Sequence, residues 1–265
     1  MPEQRKTLVI DHPELLFKVS TRRSFLKLLG VGGSIVLMPT VFAACNDNNS
    51  ITGTTSGVTL DLSNDTGILN YAYALEQLEA AFYTGVVASA AFSTMNAEQQ
   101  EVMIDLRNHE VIHREFLKAA LGSSAITSLS LNSTTVASLL TDGPTILKNA
   151  EMFEDLGVSA YNGAGKYLTS ATYLTLAGKI VSVEARHAAA IRDIRDALGI
   201  RGTDVTANTR FAGDSVVNAQ GLDVKLEPSV VLGKVIAANL VTNALTANTP
   251  PTKAGSPDAP PPTTP

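Results

Sequence analysis

The sequence predicts an all-α fold, a four-helix bundle built from two helical hairpins joined by a long crossover, with an extra helix near the C-terminus. Three observations carry this. Four segments between about 64 and 198 place their apolar residues at alternating steps of three and four, the period of a helix with one buried face. The links within each pair of segments are short, whereas the middle one, 122–141, is a long stretch of Ser, Thr and Leu, and this is one of the known bundle connectivities. At 265 residues and 45% hydrophobic content, the chain also has the apolar material for one substantial core.

Each helix can be justified in turn. The first puts Leu69, Tyr73, Glu76, Ala80, Tyr83 and Val87 on one stripe, and the second does the same with Met103, Leu106, Glu110, His113, Leu117 and Ala120. The third follows Asp142-Gly143-Pro144, where Asp142 is suited to cap and Pro144 to open the helix. Its stripe is Leu147, Ala150, Glu154, Gly157 and Tyr161. The fourth carries Ile180, Glu184, His187, Ile191, Ile194 and Leu198, and it stops at Gly199, a residue that tolerates the left-handed turn of a C-cap. A fifth amphipathic piece, about 229–245, is expected to pack on the outside. The folded unit is therefore 64–246, preceded by a flexible Asn/Ser/Thr/Gly tether at 45–63 and followed by a disordered Pro/Thr-rich tail at 247–265.

Residues 1–44 read as an address. Arg22-Arg23-Ser24-Phe25-Leu26-Lys27 precedes an apolar run, Leu28 to Ala44, that is interrupted by Gly30, Gly32, Gly33 and Pro39. The run is short and broken for a membrane span and fits an export signal better. Arg22 and Arg23 resemble a twin-arginine signal, which implies export of an already folded protein. Cys45, directly after Phe42-Ala43-Ala44, resembles the lipidated cysteine of a bacterial lipobox, although Phe42 stands where that pattern usually has Leu. The alternatives are a plain cleaved signal with an incidental Cys45 and a retained single-span anchor. The expected location is the periplasm or cell envelope, with the membrane touched only through the signal or lipid.

Charge and cysteine content exclude several functions. The chain carries 20 Lys and Arg against 25 Asp and Glu, a net charge of -5. Removing residues 1–44 would take away six basic and three acidic residues and leave -8. Beyond residues 1–44 the basic residues cluster only at Arg192 and Arg195 in the fourth helix, which read as a solvated face, and with the acidic balance this argues against nucleic acid as a partner. A single cysteine forms neither an intramolecular disulfide nor a cysteine-based zinc site.

The two hairpins repeat the same chemistry. Glu76 is followed at seven residues by Tyr83 and then Gly85; Glu154 is followed by Tyr161 and Gly163 at the same offsets. The next helix in each half carries Glu-x-x-His, namely Glu110 with His113 and Glu184 with His187. Seven residues are nearly two helical turns and three are nearly one, so these groups share the stripes that should face the bundle core. Four carboxylates converging there would repel one another and lose hydration, at a cost of several kcal/mol each unless compensated. Two divalent cations would supply that compensation, with the two imidazoles as neutral ligands.

On these residues, over about 65–198, the chain resembles the ferritin-like superfamily, particularly its exported bacterial members with di-iron or di-manganese carboxylate sites. The resemblance implies a cofactor of two iron or manganese ions. Glu76, Glu110 and His113 would hold one side, Glu154, Glu184 and His187 the other, and Glu110 and Glu184 would bridge and carry the chemistry. It also implies that Tyr83 and Tyr161 hydrogen-bond ligating carboxylates, the alternative being ordinary core aromatics. Glu79 would be an extra or supporting carboxylate; because its counterpart in the repeat is Gly157, it is expected to be a flanking polar residue, as is Glu151. The implied partners are metal ions with dioxygen or peroxide, and a homo-oligomer is compatible, although a lipid anchor argues against a closed storage cage.

A second motif competes. His109-Glu110-Val111-Ile112-His113 matches the His-Glu-x-x-His helix of zinc metalloproteases, in which both histidines bind zinc. The extended form of that motif fails at Phe116 and Ala119, and Val183 occupies the place of His109 in the second half. The repeat thus accounts for Glu110 and His113 but leaves His109 outside the ligand set. Three chemistries stay open at this point: ferroxidase-like oxidation by dioxygen or peroxide, peroxide dismutation of the manganese-catalase kind, and a structural metal in a stress-related or desiccation-related envelope protein.

Overall fold

The computed structural model describes residues 57–199 and 216–250; the expected export signal with Arg22 and Arg23, Cys45, most of the expected tether and the expected tail beyond 250 lie outside them. Four long helices form the bundle: α1 (Asp65–Ala88), α2 (Ala97–Leu121), α4 (Gly143–Ala164) and α5 (Ala171–Ala197), with a short α3 (Ser133–Ser138) in the crossover and α6 (Pro228–Ala237) after the bundle. Each long helix starts on a side-chain cap that satisfies amides its first turn leaves open. Asn64 accepts from the Gly67 amide, Asp142 from Thr145 with Pro144 in the first turn, and Ser170 from Tyr173. At the start of α2, Asn96 and Gln99 form a reciprocal capping box. Asn96→Ala is expected to lower stability by about 1 kcal/mol, roughly 2–4 °C in Tm for a domain of this size. An unchanged thermal midpoint would show that the box does not hold this end. At the far end of α5, Gly199 takes φ +64 and its amide reaches the Asp196 carbonyl, the C-terminal turn the sequence predicts.

Helix α1 packs mainly along α2 and α4 along α5, and the hairpins meet through α1 against α4 and α2 against α5. The expected crossover is therefore present between the hairpins. It is more ordered than its composition suggests and lies along the back of α1. The Asn70 side chain accepts from the Ile126 amide (2.8 Å) and donates to the Ser124 carbonyl (2.9 Å), while Gln77 accepts from the Leu129 amide (2.8 Å). These two side chains supply the backbone partners a buried loop requires. As a result α1 is buried nearly all round, with Leu78 and Phe82 turned toward Leu131, Val136 and Leu139.

Three boundaries differ from expectation. The last part of the 45–63 tether is structured: β1 (Val58–Leu60) pairs in parallel with β2 (Leu245–Ala247), Val58 opposite Leu245. Asn248, expected in the disordered tail, accepts from the Leu62 amide and donates to Asp61, both at 2.6 Å, so the two ends of the domain clamp each other. The C-terminal helix ends at Ala237 rather than near 245, because Asn239 turns left-handed at φ +53 and sends the chain toward β2. Its apolar face, Val231, Leu232 and Val235, is buried, and α6 packs on α4. The approach is close: a Cβ at Gly163 would lie 1.8 Å from the Leu226 carbonyl oxygen, and the Leu226 amide bonds the Ser159 carbonyl. Gly163 is thus the repeated glycine whose missing side chain lets the C-terminal segment lie on α4.

The solvated face expected at Arg192 and Arg195 is also corrected. Arg192 is buried in an ion pair with Asp155, and Arg195 reaches Glu151 at 2.5 Å, so both arginines tie α5 to α4. No described helix is long and apolar enough to cross a membrane.

Candidate metal centre

The repeat brings its six predicted residues together at mid-bundle. Glu76 comes from α1, Glu110 and His113 from α2, Glu154 from α4, and Glu184 and His187 from α5. All four glutamates are 0% exposed. One ligand atom each from Glu76, Glu110, His113 and Glu184 lies within 4.8 Å of the others, and the same holds for Glu110, Glu154, Glu184 and His187. Glu110 and Glu184 belong to both groups. Glu184 sets Oε1 2.8 Å from His113 Nδ1 and Oε2 3.1 Å from His187 Nδ1; Glu110 sets Oε2 3.4 Å from His113 Nδ1 and Oε1 2.9 Å from His187 Nδ1. At the two flanks, Glu76 Oε2 is 3.5 Å from His113 Nδ1 and Glu154 Oε2 is 3.3 Å from His187 Nδ1.

The tyrosines tie the halves together crosswise. Tyr161, seven residues after Glu154, donates to Glu76 Oε1 at 2.5 Å, and Tyr83, seven residues after Glu76, donates to Glu154 Oε1. Spacing placed each tyrosine on the right face but did not reveal that it serves the other half. Burial, with the nearby carboxylates, holds both phenols well above their usual pKa, so both stay protonated donors. They leave the other oxygen of each glutamate facing the centre.

Glu79 is not the flanking polar residue its spacing suggested. It is 3% exposed, and a Cβ at Gly157 would lie 2.9 Å from its Oε1. The glycine standing at Glu79's position in the repeat is what clears room for the Glu79 carboxyl. The unpaired carboxylate and the opposing glycine are one feature, and their juxtaposition was the available signal. Glu79 belongs to neither group of converging atoms. Burial, then the charges of Glu110 and Glu184, raise its pKa well above the normal range, which leaves it a neutral acid beside the cluster.

Electrostatics show how this core carries its charge without a cation. Burial pushes Glu76 well above the usual carboxylate range and Glu154 up to about 8, with His113 and His187 respectively opposing. Burial would also raise Glu110, but the imidazoles of His113 and His187 against its two oxygens overcome this and hold it low. Both imidazoles titrate high despite burial: the Glu76 charge leads in raising His113, and the Glu154 charge leads in raising His187 to about 12. Even so, Glu76 Oε2, both oxygens of Glu110, Glu184 Oε1 and His113 Nδ1 make no hydrogen bond. Buried polar atoms that face one another as ion pairs without hydrogen-bond geometry are costly, and here they converge on one place from three helices. The donor set, carboxylate oxygens and imidazole nitrogens at near-contact spacing, fits metal cation binding.

His109 lies outside this set. Its Nδ1 is 2.8 Å from His187 Nε2, and the two rings stack with centroids 5.0 Å apart. A zinc-protease helix needs both of its histidines on one ion, whereas His109 meets the far nitrogen of the second-half histidine. That alternative therefore has no geometric support among the described residues.

A helical bundle whose core gathers a carboxylate from every long helix and an imidazole from two of them is a carboxylate–histidine bundle protein. The chain belongs to the ferritin-like domain family, which it matches over residues 64–197, from the cap of α1 to the end of α5. No curated protein matches the chain.

Proposed function

We propose that the bundle holds two divalent cations, iron or manganese, and performs redox chemistry with dioxygen or peroxide in a ferroxidase-like manner. The single observation that carries this is the pair of overlapping four-residue groups sharing Glu110 and Glu184. Glu76, Glu110, His113 and Glu184 would hold one cation; Glu110, Glu154, Glu184 and His187 would hold the other. Four carboxylates balance four positive charges, and an all-oxygen and nitrogen donor set without sulfur suits iron and manganese. Such a pair, when bound, supplies electrons one at a time from each ion for reduction of the oxidant. The chain's own part would be to share Glu110 and Glu184 between the two positions, to fix the flanking carboxylates through Tyr83 and Tyr161, and to keep bulk water out.

An apolar cavity favours dioxygen over peroxide as the oxidant. It is lined by Leu69, Leu117, Ala120, Tyr161 and Ile180 among others, and Tyr161 both forms its wall and holds Glu76. Apolar dioxygen partitions into such a space, whereas peroxide brings hydrogen-bonding groups that these walls do not meet.

Export through Arg22 and Arg23 and lipidation at Cys45 complete the proposal, placing the bundle at the cell envelope. Folding before export would let the cytoplasm choose the metal.

Elemental analysis of the mature protein taken from its own envelope tests the central claim. About two iron or manganese per chain, with dioxygen uptake on oxidation, is the expected result. No metal, or one zinc lost on substituting His109, would overturn it. Tyr161→Phe removes the donor to Glu76 and is expected to weaken cation binding about 10–100-fold in chelator competition. An unchanged affinity would mean that Glu76 is held without it.

A further inference from the structure

His109 is the one histidine of the folded domain that the repeat does not explain, and its position gives it a role. His187 turns Nδ1 toward Glu110, Glu154 and Glu184 and Nε2 toward His109. To offer Nδ1 as a ligand, His187 must carry its proton on Nε2. That N–H then donates to His109 Nδ1, 2.8 Å away, while the near-parallel stacking, 9° between the planes, limits rotation of the His187 ring. The outer nitrogen of a ligating histidine is commonly fixed by such a partner, which sets both tautomer and orientation. The other half lacks this arrangement, because Val183 stands in the register position of His109 and has no hydrogen-bonding group on its side chain. His187 is also the more enclosed imidazole, 4% exposed against 12% for His113.

We propose that His109 is a positioning residue for His187 and that it makes the two cation positions unequal, the one bounded by Glu110, Glu154, Glu184 and His187 being the tighter. This rests on the two-cation reading above. The near-symmetric chemistry of the repeat is broken at one residue, and ordered loading follows: the first cation enters on the His187 side.

The test titrates cobalt(II), which is visible and redox-stable, into the metal-free protein, following its absorption bands and heat of binding. The parent is expected to fill in two steps, with the tighter step lost in His187→Ala and the weaker one in His113→Ala. His109→Val copies the other half and should weaken the tighter step by about 10–100-fold, drawing the two steps together. His109→Asn keeps an acceptor atom at the same distance along the side chain and should restore the separation, which a merely space-filling role would not do. Circular dichroism of the half-exposed position 109 variants guards against loss of fold, and the Asn variant decides the matter if Val disturbs it. Two steps unchanged in His109→Val, or a tighter step that belongs to His113, would overturn the inference while leaving the two-cation reading standing. No cobalt uptake by the parent would instead overturn that reading and the inference with it.

Discussion

The Glu110→Ala/Glu184→Ala variant is expected to hold essentially no cation where the parent is expected to hold two. The reason is specific to these two residues. Each contributes one oxygen toward His113 and the other toward His187, so each belongs to both groups of converging atoms. Removing both strips two of four ligands from each position at once. Glu76 and Glu154 each belong to only one group. Glu76→Ala is therefore expected to halve the metal content while the double variant abolishes it, and elemental analysis of the three proteins side by side distinguishes bridging from merely crowded carboxylates. Stability should follow the same division. A ligand that binds only the folded state at one hundred times its Kd stabilises by about 2.7 kcal/mol. The parent's thermal midpoint should therefore rise when cations are added and the double variant's should not. Glu110→Gln/Glu184→Gln, which keeps the side-chain volume, controls for the cavities that alanine leaves. Two cations retained in the double variant would remove Glu110 and Glu184 from the centre.

Much of this site was legible because its chemistry is periodic. Glu-x6-Tyr and Glu-x-x-His occur twice in register, and helical geometry alone sends all eight residues to one interior. The helix starts were equally readable at Asp142 and Pro144, where a local cap decides the boundary. What escaped was set by contacts between distant segments. Nothing along α1 shows that Asn70 and Gln77 satisfy the crossover backbone, or that Val58–Leu60 finds its partner at Leu245–Ala247. Arg192 looked solvated because a single helix does not reveal that Asp155 on α4 lies across from it. Glu79 was misjudged for the converse reason: its partner is an absence, the side chain that Gly157 lacks. His109 fell outside the repeat, and only the folded structure brings it to the far nitrogen of His187, 78 residues away.

Cation affinity should fall with acidification, because several of the groups that would ligate are held above their usual pKa. His113 is held well above its usual value, His187 up to about 12, Glu76 well above the carboxylate range and Glu154 up to about 8. Values raised in this way mean that protons held among these coupled groups must leave before the groups can serve as ligands. The logarithm of the overall binding constant should therefore climb with pH below about 8, and less steeply once Glu154 has titrated. Acidifying from pH 7.5 to 6.5 would weaken binding about tenfold for each proton that loading releases. Chelator competition across that range measures the slope, and calorimetry in buffers of different ionisation heat counts the protons; a slope of one or less would show that the ligands are already deprotonated. The same groups set the opposite trend without metal. Each has a folded pKa above its unfolded value of 4.5 or 6.5, so the stability it contributes is complete below that value and is lost as pH rises toward the folded one, across 4.5 to about 8 for Glu154 and 6.5 to about 12 for His187. Glu110, held low, works the other way but only below about pH 4.5, where it gains its proton. Between pH 5 and 8 the thermal midpoint of the metal-free protein should fall while that of the cation-loaded protein rises. The gap between the two curves at a fixed cation concentration reports the stabilisation by bound cation, and its widening toward pH 8 is what an exchange of protons for metal in a closed core requires.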